Sequence, residues 1–89
     1  MGNFPGGSAY AMVREIAEGY FSVTERTFTR MTRPELDKLR FELDRLLREI
    51  RGNQPALEDL AEVQKRNRRI LRINTANMVL RSYRMKRKI

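Results

Sequence analysis

The last 26 residues of the chain, residues 64–89, carry all of its net positive charge. They contain ten Lys or Arg residues and no acid, whereas residues 1–63 contain nine basic and eleven acidic residues. The segment has neither Gly nor Pro, and Arg, Lys, Leu and Met all favour helix. Because ten bases on one helix repel one another, the segment predicts a basic helix that gains stability from an external polyanion.

The bases form two clusters, residues 65–72 and 81–88, on either side of the uncharged run 73–80. The cluster centres lie about 25 Å apart on a continuous helix, a span that suits neighbouring phosphate ridges. We therefore predict a nucleic-acid-binding protein, and the sequence does not choose between RNA and DNA. The predicted contact residues are Lys65, Arg66, Asn67, Arg68, Arg69, Arg72, Arg81, Arg84, Lys86, Arg87 and Lys88.

The composition argues against an enzyme. The chain has no His and no Cys, which removes the commonest general base, nucleophiles and transition-metal ligands. We expect no catalytic residue, no cofactor and no metal site. No run reaches the roughly 18 apolar residues of a membrane span, so we expect no transmembrane segment. The absence of Cys, and therefore of disulfides, fits a cytoplasmic protein. Eighty-nine residues allow one small domain, predicted at residues 8–89 after a disordered tail over residues 1–7.

Capping signals divide the domain into three predicted helices. Ser8 is a plausible N-cap for a first helix over about 9–30, although the β-branched residues in 20–32 leave a strand open there. The sequence Thr32-Arg33-Pro34-Glu35 is a capping box that begins a second helix over 33–51. Gly52 suits a left-handed C-terminal position, and Asn53 is expected to cap a third helix over about 55–86.

The second helix carries a narrow apolar seam, with leucines and an isoleucine at alternating spacings of three and four. The connection to the third helix is short, so these two helices are expected to form an antiparallel hairpin. The predicted fold is all-α: an antiparallel helical hairpin with a long basic C-terminal helix and an additional N-terminal helix. The third helix is the longer one, so its C-terminal half is expected to overhang. The seam predicts a homodimer or a protein partner and consists of Leu36, Leu39, Leu43, Leu46 and Ile50.

Three resemblances bear on function. The run 64–72 is similar to arginine-rich RNA-binding helices, which implies that Arg66, Asn67, Arg68 and Arg69 contact phosphates and bases. The helical hairpin is similar in architecture to small hairpin proteins of the ribosome. Residues 27–31, with the helix start at Pro34 and the break at Gly52, resemble a ribbon-helix-helix repressor. That family pairs a strand across a dimer and places it in the major groove of DNA.

Two other interpretations remain open. A helical oligomerisation or adaptor protein would use the apolar seam together with Asn67 and Asn74, since a buried Asn in a seam fixes register. The basic run 81–88, with Tyr83 and Met85 interleaved, also suits an anionic membrane surface.

Overall fold

The computed structural model describes residues 4–89, and within them the chain is all-α, as predicted. Helix α1 comprises Ala9–Glu18, a 3₁₀ helix comprises Glu25–Phe28, α2 comprises Arg33–Gly52 and α3 comprises Leu60–Arg87. All three α-helices pack against one another. Over residues 4–89 the fold measures 44 × 26 × 19 Å, with α3 along its length.

Helix α1 is much shorter than the predicted helix over 9–30. Ser8 caps its start as expected, because the hydroxyl oxygen accepts a hydrogen bond from the Ala11 amide at 3.1 Å. Gly19 ends it in the left-handed conformation at φ 85°, and the amide of Gly19 donates to the carbonyls of Glu15 and Ile16. A left-handed glycine closes a helix by satisfying its last carbonyls, so the prediction of a helix through residue 30 is wrong.

The segment between α1 and α2 is a loop with one 3₁₀ helix, and it contains no strand. The Thr27 hydroxyl oxygen accepts from the Thr24 amide at 3.1 Å, which shows the short side chains bonding to their own backbone instead of extending a helix. Phe28 is fully buried, and the centre of its ring lies 5.5 Å from the centre of the Tyr83 ring on α3. The strand that the ribbon-helix-helix interpretation places at 26–31 is absent from this chain, because Glu25–Phe28 forms the 3₁₀ helix instead.

The capping box at the start of α2 is confirmed. The Glu35 amide donates to the Thr32 hydroxyl oxygen at 3.3 Å, and the Glu35 carboxylate accepts from the Thr32 amide at 2.8 Å. Pro34 occupies the first turn, where a missing amide hydrogen leaves no helical bond unmade.

The connection between α2 and α3 is longer than predicted. Gly52 is the last residue of α2 and does not have a positive φ, and Asn53 is extended. The cap of α3 is Asp59, whose carboxylate accepts from the Glu62 amide at 3.3 Å, so the predictions of a left-handed Gly52 and an Asn53 cap are wrong. Asp caps a helix as well as Asn does, and Asp59 directly precedes Leu60, the first residue of α3.

The leucines of the predicted seam lie inside the chain's own core. Leu36, Leu39, Leu43 and Leu46 are buried and Ile50 is half-buried, against α1 and α3 of the same chain. The seam was therefore assigned to the correct face of α2, but that face is covered within one chain. The homodimer remains a prediction, and the apolar face of α2 no longer supports it because that face is buried within one chain. The other buried residues of this hydrophobic cluster are Met12, Val13, Ile16, Ala17, Phe28, Met31, Ile73, Ala76, Leu80 and Tyr83.

Helices α2 and α3 are antiparallel, because residues later in α3 contact residues earlier in α2. The Arg66 Nε atom lies 3.3 Å from the Ile50 carbonyl, Asn77 bonds to Asp44, and Arg84 pairs with Asp37. The C-terminal half of α3 is thus aligned with α2, which contradicts the predicted overhang there. The first turn of α3 projects instead, and residues 57–62 are all exposed.

The predicted disordered tail over residues 1–7 lies partly outside the described residues, at residues 1–3. Over the remainder the structure shows a turn, in which the Gly7 amide donates to the Phe4 carbonyl at 3.0 Å. The Phe4 side chain is half-buried against the core.

We expect Gly19→Ala to lower the free energy of unfolding by about 1–2 kcal/mol, the cost of left-handed backbone for an L-residue. A Cβ atom at this position would also lie 2.9 Å from the Arg72 guanidinium carbon. Urea unfolding followed by circular dichroism measures the change.

The matched control is Gly52→Ala. Residue 52 is helical, and a Cβ atom there would meet nothing within 4 Å. We expect no loss and up to about 0.5–1 kcal/mol of gain, since alanine is the better helix former. Equal losses in both variants would contradict the role given to Gly19.

Candidate polyanion-binding surface

Helix α3 carries nine of the ten bases of residues 64–89, and its C-cap residue, Lys88, is the tenth. Its 28 residues span about 42 Å. The helical period of 3.6 residues sends neighbouring bases to different sides, so the ten bases do not share one environment. The structure divides them into an inward group, an ion-paired group and an exposed group.

The inward group consists of Arg66, Arg69 and Arg72, which are spaced by three residues and lie on one side of α3. Arg72 Nη1 donates to the carbonyl of Ala17 at 3.0 Å, and Arg69 Nη2 lies 2.6 Å from the Glu18 carboxylate, both in the last turn of α1. Arg66 Nε donates to a carbonyl in the last turn of α2. Cations favour helix C-termini because the unpaired carbonyls there carry partial negative charge. We call these three residues the arginine clamp.

A cavity of about 390 Å³ lies beside the arginine clamp. Its charged lining consists of three arginines and three glutamates: Arg14, Arg66, Arg69, Glu18, Glu49 and Glu62. Arg69 Nε is buried and has no hydrogen-bond partner among residues 4–89. The acids in the wall balance the arginines, so the cavity has no excess of positive charge.

The ion-paired group lies near the C-terminal end of α3. Arg84 Nη2 lies 2.8 Å from the Asp37 carboxylate, and Lys86 Nζ lies 2.8 Å from the Glu25 carboxylate. These pairs attach α3 to the start of α2 and to the 3₁₀ helix. They reduce the charge that Arg84 and Lys86 offer to a ligand.

The exposed group makes no ion pair within the described part of the chain. The guanidinium of Arg87 lies 5.5 Å from the centre of the Tyr83 ring, an attraction that leaves its charge uncompensated. Asn67, the remaining predicted contact, is exposed beside this group. We call the five bases the exposed basic set, and they are Lys65, Arg68, Arg81, Arg87 and Lys88.

Folding adds bases that the sequence analysis did not select. Arg26 on the 3₁₀ helix and Arg33 at the start of α2 are exposed. Their segments adjoin the end of α3 through the Glu25–Lys86 and Asp37–Arg84 pairs. More than 50 residues separate each from its neighbours on α3, so no local sequence signal could have identified them.

Within residues 4–89 no helix is both long enough and apolar enough to cross a membrane. The chain matches no family model, no curated protein and no solved structure, so its function has to be inferred from its own residues.

We expect the double variant Arg69→Gln, Arg72→Gln to lose about 1–2 kcal/mol of unfolding free energy, because both guanidinium groups bind the end of α1. Hydrogen bonds to charged groups contribute more than neutral ones, and partly exposed ion pairs contribute up to about 1 kcal/mol. Urea unfolding at fixed ionic strength measures the loss.

The control variant is Lys65→Gln, Arg68→Gln, which removes the same charge from the same helix. Surface substitutions without such contacts stay within about 0.5 kcal/mol. Similar losses in the two variants would show that the arginine clamp has no special structural role.

Proposed function

We propose that this protein binds nucleic acid without catalysis, through the exposed basic set on α3. The observation that carries the proposal is that these five bases stay solvent-exposed without an acidic partner in residues 4–89. The ion pairs of the fold involve Arg14, Lys38, Arg40, Arg45, Arg69, Arg84 and Lys86.

The spacing of the exposed basic set favours a long anion over a small one. Lys65 and Lys88 are 23 residues apart, or about 35 Å along the helix axis. A single phosphate cannot contact both ends, whereas a nucleic-acid backbone presents phosphates over such a distance. Each base that neutralises a phosphate releases condensed counterions, which is the main source of non-specific affinity.

The structure gives the arginine-rich run 64–72 a restricted part in this proposal. Arg66 and Arg69 already contact the ends of α2 and α1. Of the four residues that the resemblance selected, Asn67 and Arg68 are therefore the exposed ones, and Lys65 beside them is exposed as well. These contacts are expected to position the protein on the backbone, since phosphate contacts carry no base sequence.

We expect binding to a fluorescent duplex or RNA hairpin to weaken steeply with salt. Five phosphate contacts give a slope of about −4 to −5 in log K against log salt concentration on duplex DNA. Fluorescence anisotropy over a range of ionic strengths measures the slope. A protein that binds none of duplex DNA, RNA hairpin and single strand at ~0.1 M salt, where the Debye length is about 10 Å, would refute the proposal.

The diagnostic variant is Lys65→Gln, Arg68→Gln, Arg87→Gln. We expect it to flatten the slope by about 2–3 while helix content is unchanged, because three phosphate contacts are lost. The matched control removes three exposed arginines of α2: Arg45, Arg48 and Arg51. Equal effects of the two sets would mean that net charge alone drives binding and that α3 is not the site. Anionic vesicles in the same titration test the membrane interpretation.

A further inference from the structure

An open groove of about 900 Å³ runs between α2 and the C-terminal half of α3. Leu47 and Leu80 lie in it, and Met78, Met85 and Ile89 form its apolar edge. Met78 and Met85 are 67% and 72% exposed, and they stand seven residues apart on one face of the helix. Methionine is flexible and polarizable, which makes it common at surfaces that accept a partner helix.

The charges along this groove leave an excess of two cations. Asp37 pairs with Arg84, and Asp44 lies 3.7 Å from Arg40, so these four side chains neutralise one another. Arg81 and Lys88 also line the groove and make no ion pair within residues 4–89. They are seven residues apart, so each stands three residues beyond an exposed methionine. The groove therefore matches an occupant that has both apolar and acidic side chains.

The chain itself contains such an occupant at the opposite end of α3. Residues 57–62 hold three acids and no base, in a region that has no base from residue 52 to 64. None of the three acids, Glu58, Asp59 and Glu62, forms an ion pair with the described residues. Leu57 and Leu60 are 87% and 68% exposed in the same segment. We call residues 57–62 the acidic leucine segment.

We propose that the acidic leucine segment of one copy docks into the methionine-lined groove of a second copy. Within one molecule the two surfaces cannot meet, because Leu60 and Arg81 lie about 30 Å apart along the axis of the rigid helix α3. Between molecules the contact is head-to-tail, so one copy keeps a free groove and the other copy keeps a free segment. Such a heterologous contact continues into a ring or a chain instead of stopping at a two-fold dimer.

Groove-to-groove pairing of two copies is disfavoured, because it would place Arg81 and Lys88 of one copy against the same residues of the other. The groove-to-segment contact avoids this repulsion. The inference goes beyond the proposed binding of nucleic acid and does not depend on it, since the test contains no nucleic acid.

The test measures weight-average mass by sedimentation equilibrium from low micromolar to millimolar concentration, at 0.15 M salt. The Debye length there is about 8 Å, so repulsion between distant charges is screened. The wild type is expected to gain mass with concentration. Variant A, Arg81→Glu with Lys88→Glu, and variant B, Glu58→Arg with Glu62→Arg, are each expected to stay at the mass of one chain.

An equimolar mixture of A and B is expected to regain the concentration-dependent mass. The acidic groove of A accepts the basic segment of B, and the basic groove of B accepts the acidic segment of A. Failure of the mixture to associate, with both variants folded by circular dichroism, would overturn the proposal. A wild type that stays monomeric at millimolar concentration would overturn it as well.

Two controls separate the contact from general effects of charge and folding. Arg26→Glu with Arg48→Glu makes the same charge change as variant A at exposed sites that belong neither to the groove lining nor to the acidic leucine segment, and it is expected to associate like the wild type. Leu57→Ser with Leu60→Ser alters only exposed side chains, so the fold is kept while association is lost. Association of this leucine variant at wild-type strength would contradict docking through the segment.

Discussion

The fold depends on three arginines of α3 that bind the C-terminal ends of the other two helices. Arg72 reaches the Ala17 carbonyl, Arg69 pairs with Glu18, and Arg66 reaches the Ile50 carbonyl. The last carbonyls of a helix have no partner of their own, and the ends of α1 and α2 both lie beside the first half of α3. One face of α3 therefore fixes where α1 and α2 end in space. The left-handed Gly19 is part of the same arrangement, because the Arg72 guanidinium packs against the space that a side chain would fill.

The helical period decides which bases serve the fold and which face solvent. Residues 66, 69 and 72 lie on the side of α3 that faces α1 and α2. Lys65 and Arg68 each precede one of these residues in the sequence, so the helical rotation points them to solvent. A basic run can thus be structural and ligand-binding at once. The excess charge that remains on the surface is smaller than the run of ten bases implies, and it is spread along the helix. The acidic leucine segment at the start of α3 gives that helix an acidic end and a basic end.

The parts of the structure that depend on neighbouring residues could be predicted from the sequence. The capping box at Thr32 and the cap at Ser8 rest on side chains three residues from the amides they bind, and both are present. The spacing of the leucines predicted which face of α2 is buried, but it did not predict that α1 and α3 of the same chain cover that face. The extent of α1 was overestimated, because the apolar residues after Gly19 could continue a helical stripe. The partners of Arg66, Arg69 and Arg72 lie 16 to 55 residues away in sequence, so no periodicity could indicate them.

The contact between Phe28 and Tyr83 has a consequence for the order in which the molecule can be assembled during synthesis. Phe28, Leu36 and Leu39 are made early, but the residues that cover them include Ile73, Leu80 and Tyr83. Domains made on the ribosome tend to fold from the N-terminus onward, yet here the first two helices emerge with their apolar faces open until α3 exists. Translation must therefore finish most of α3 before the nascent chain is protected from aggregation.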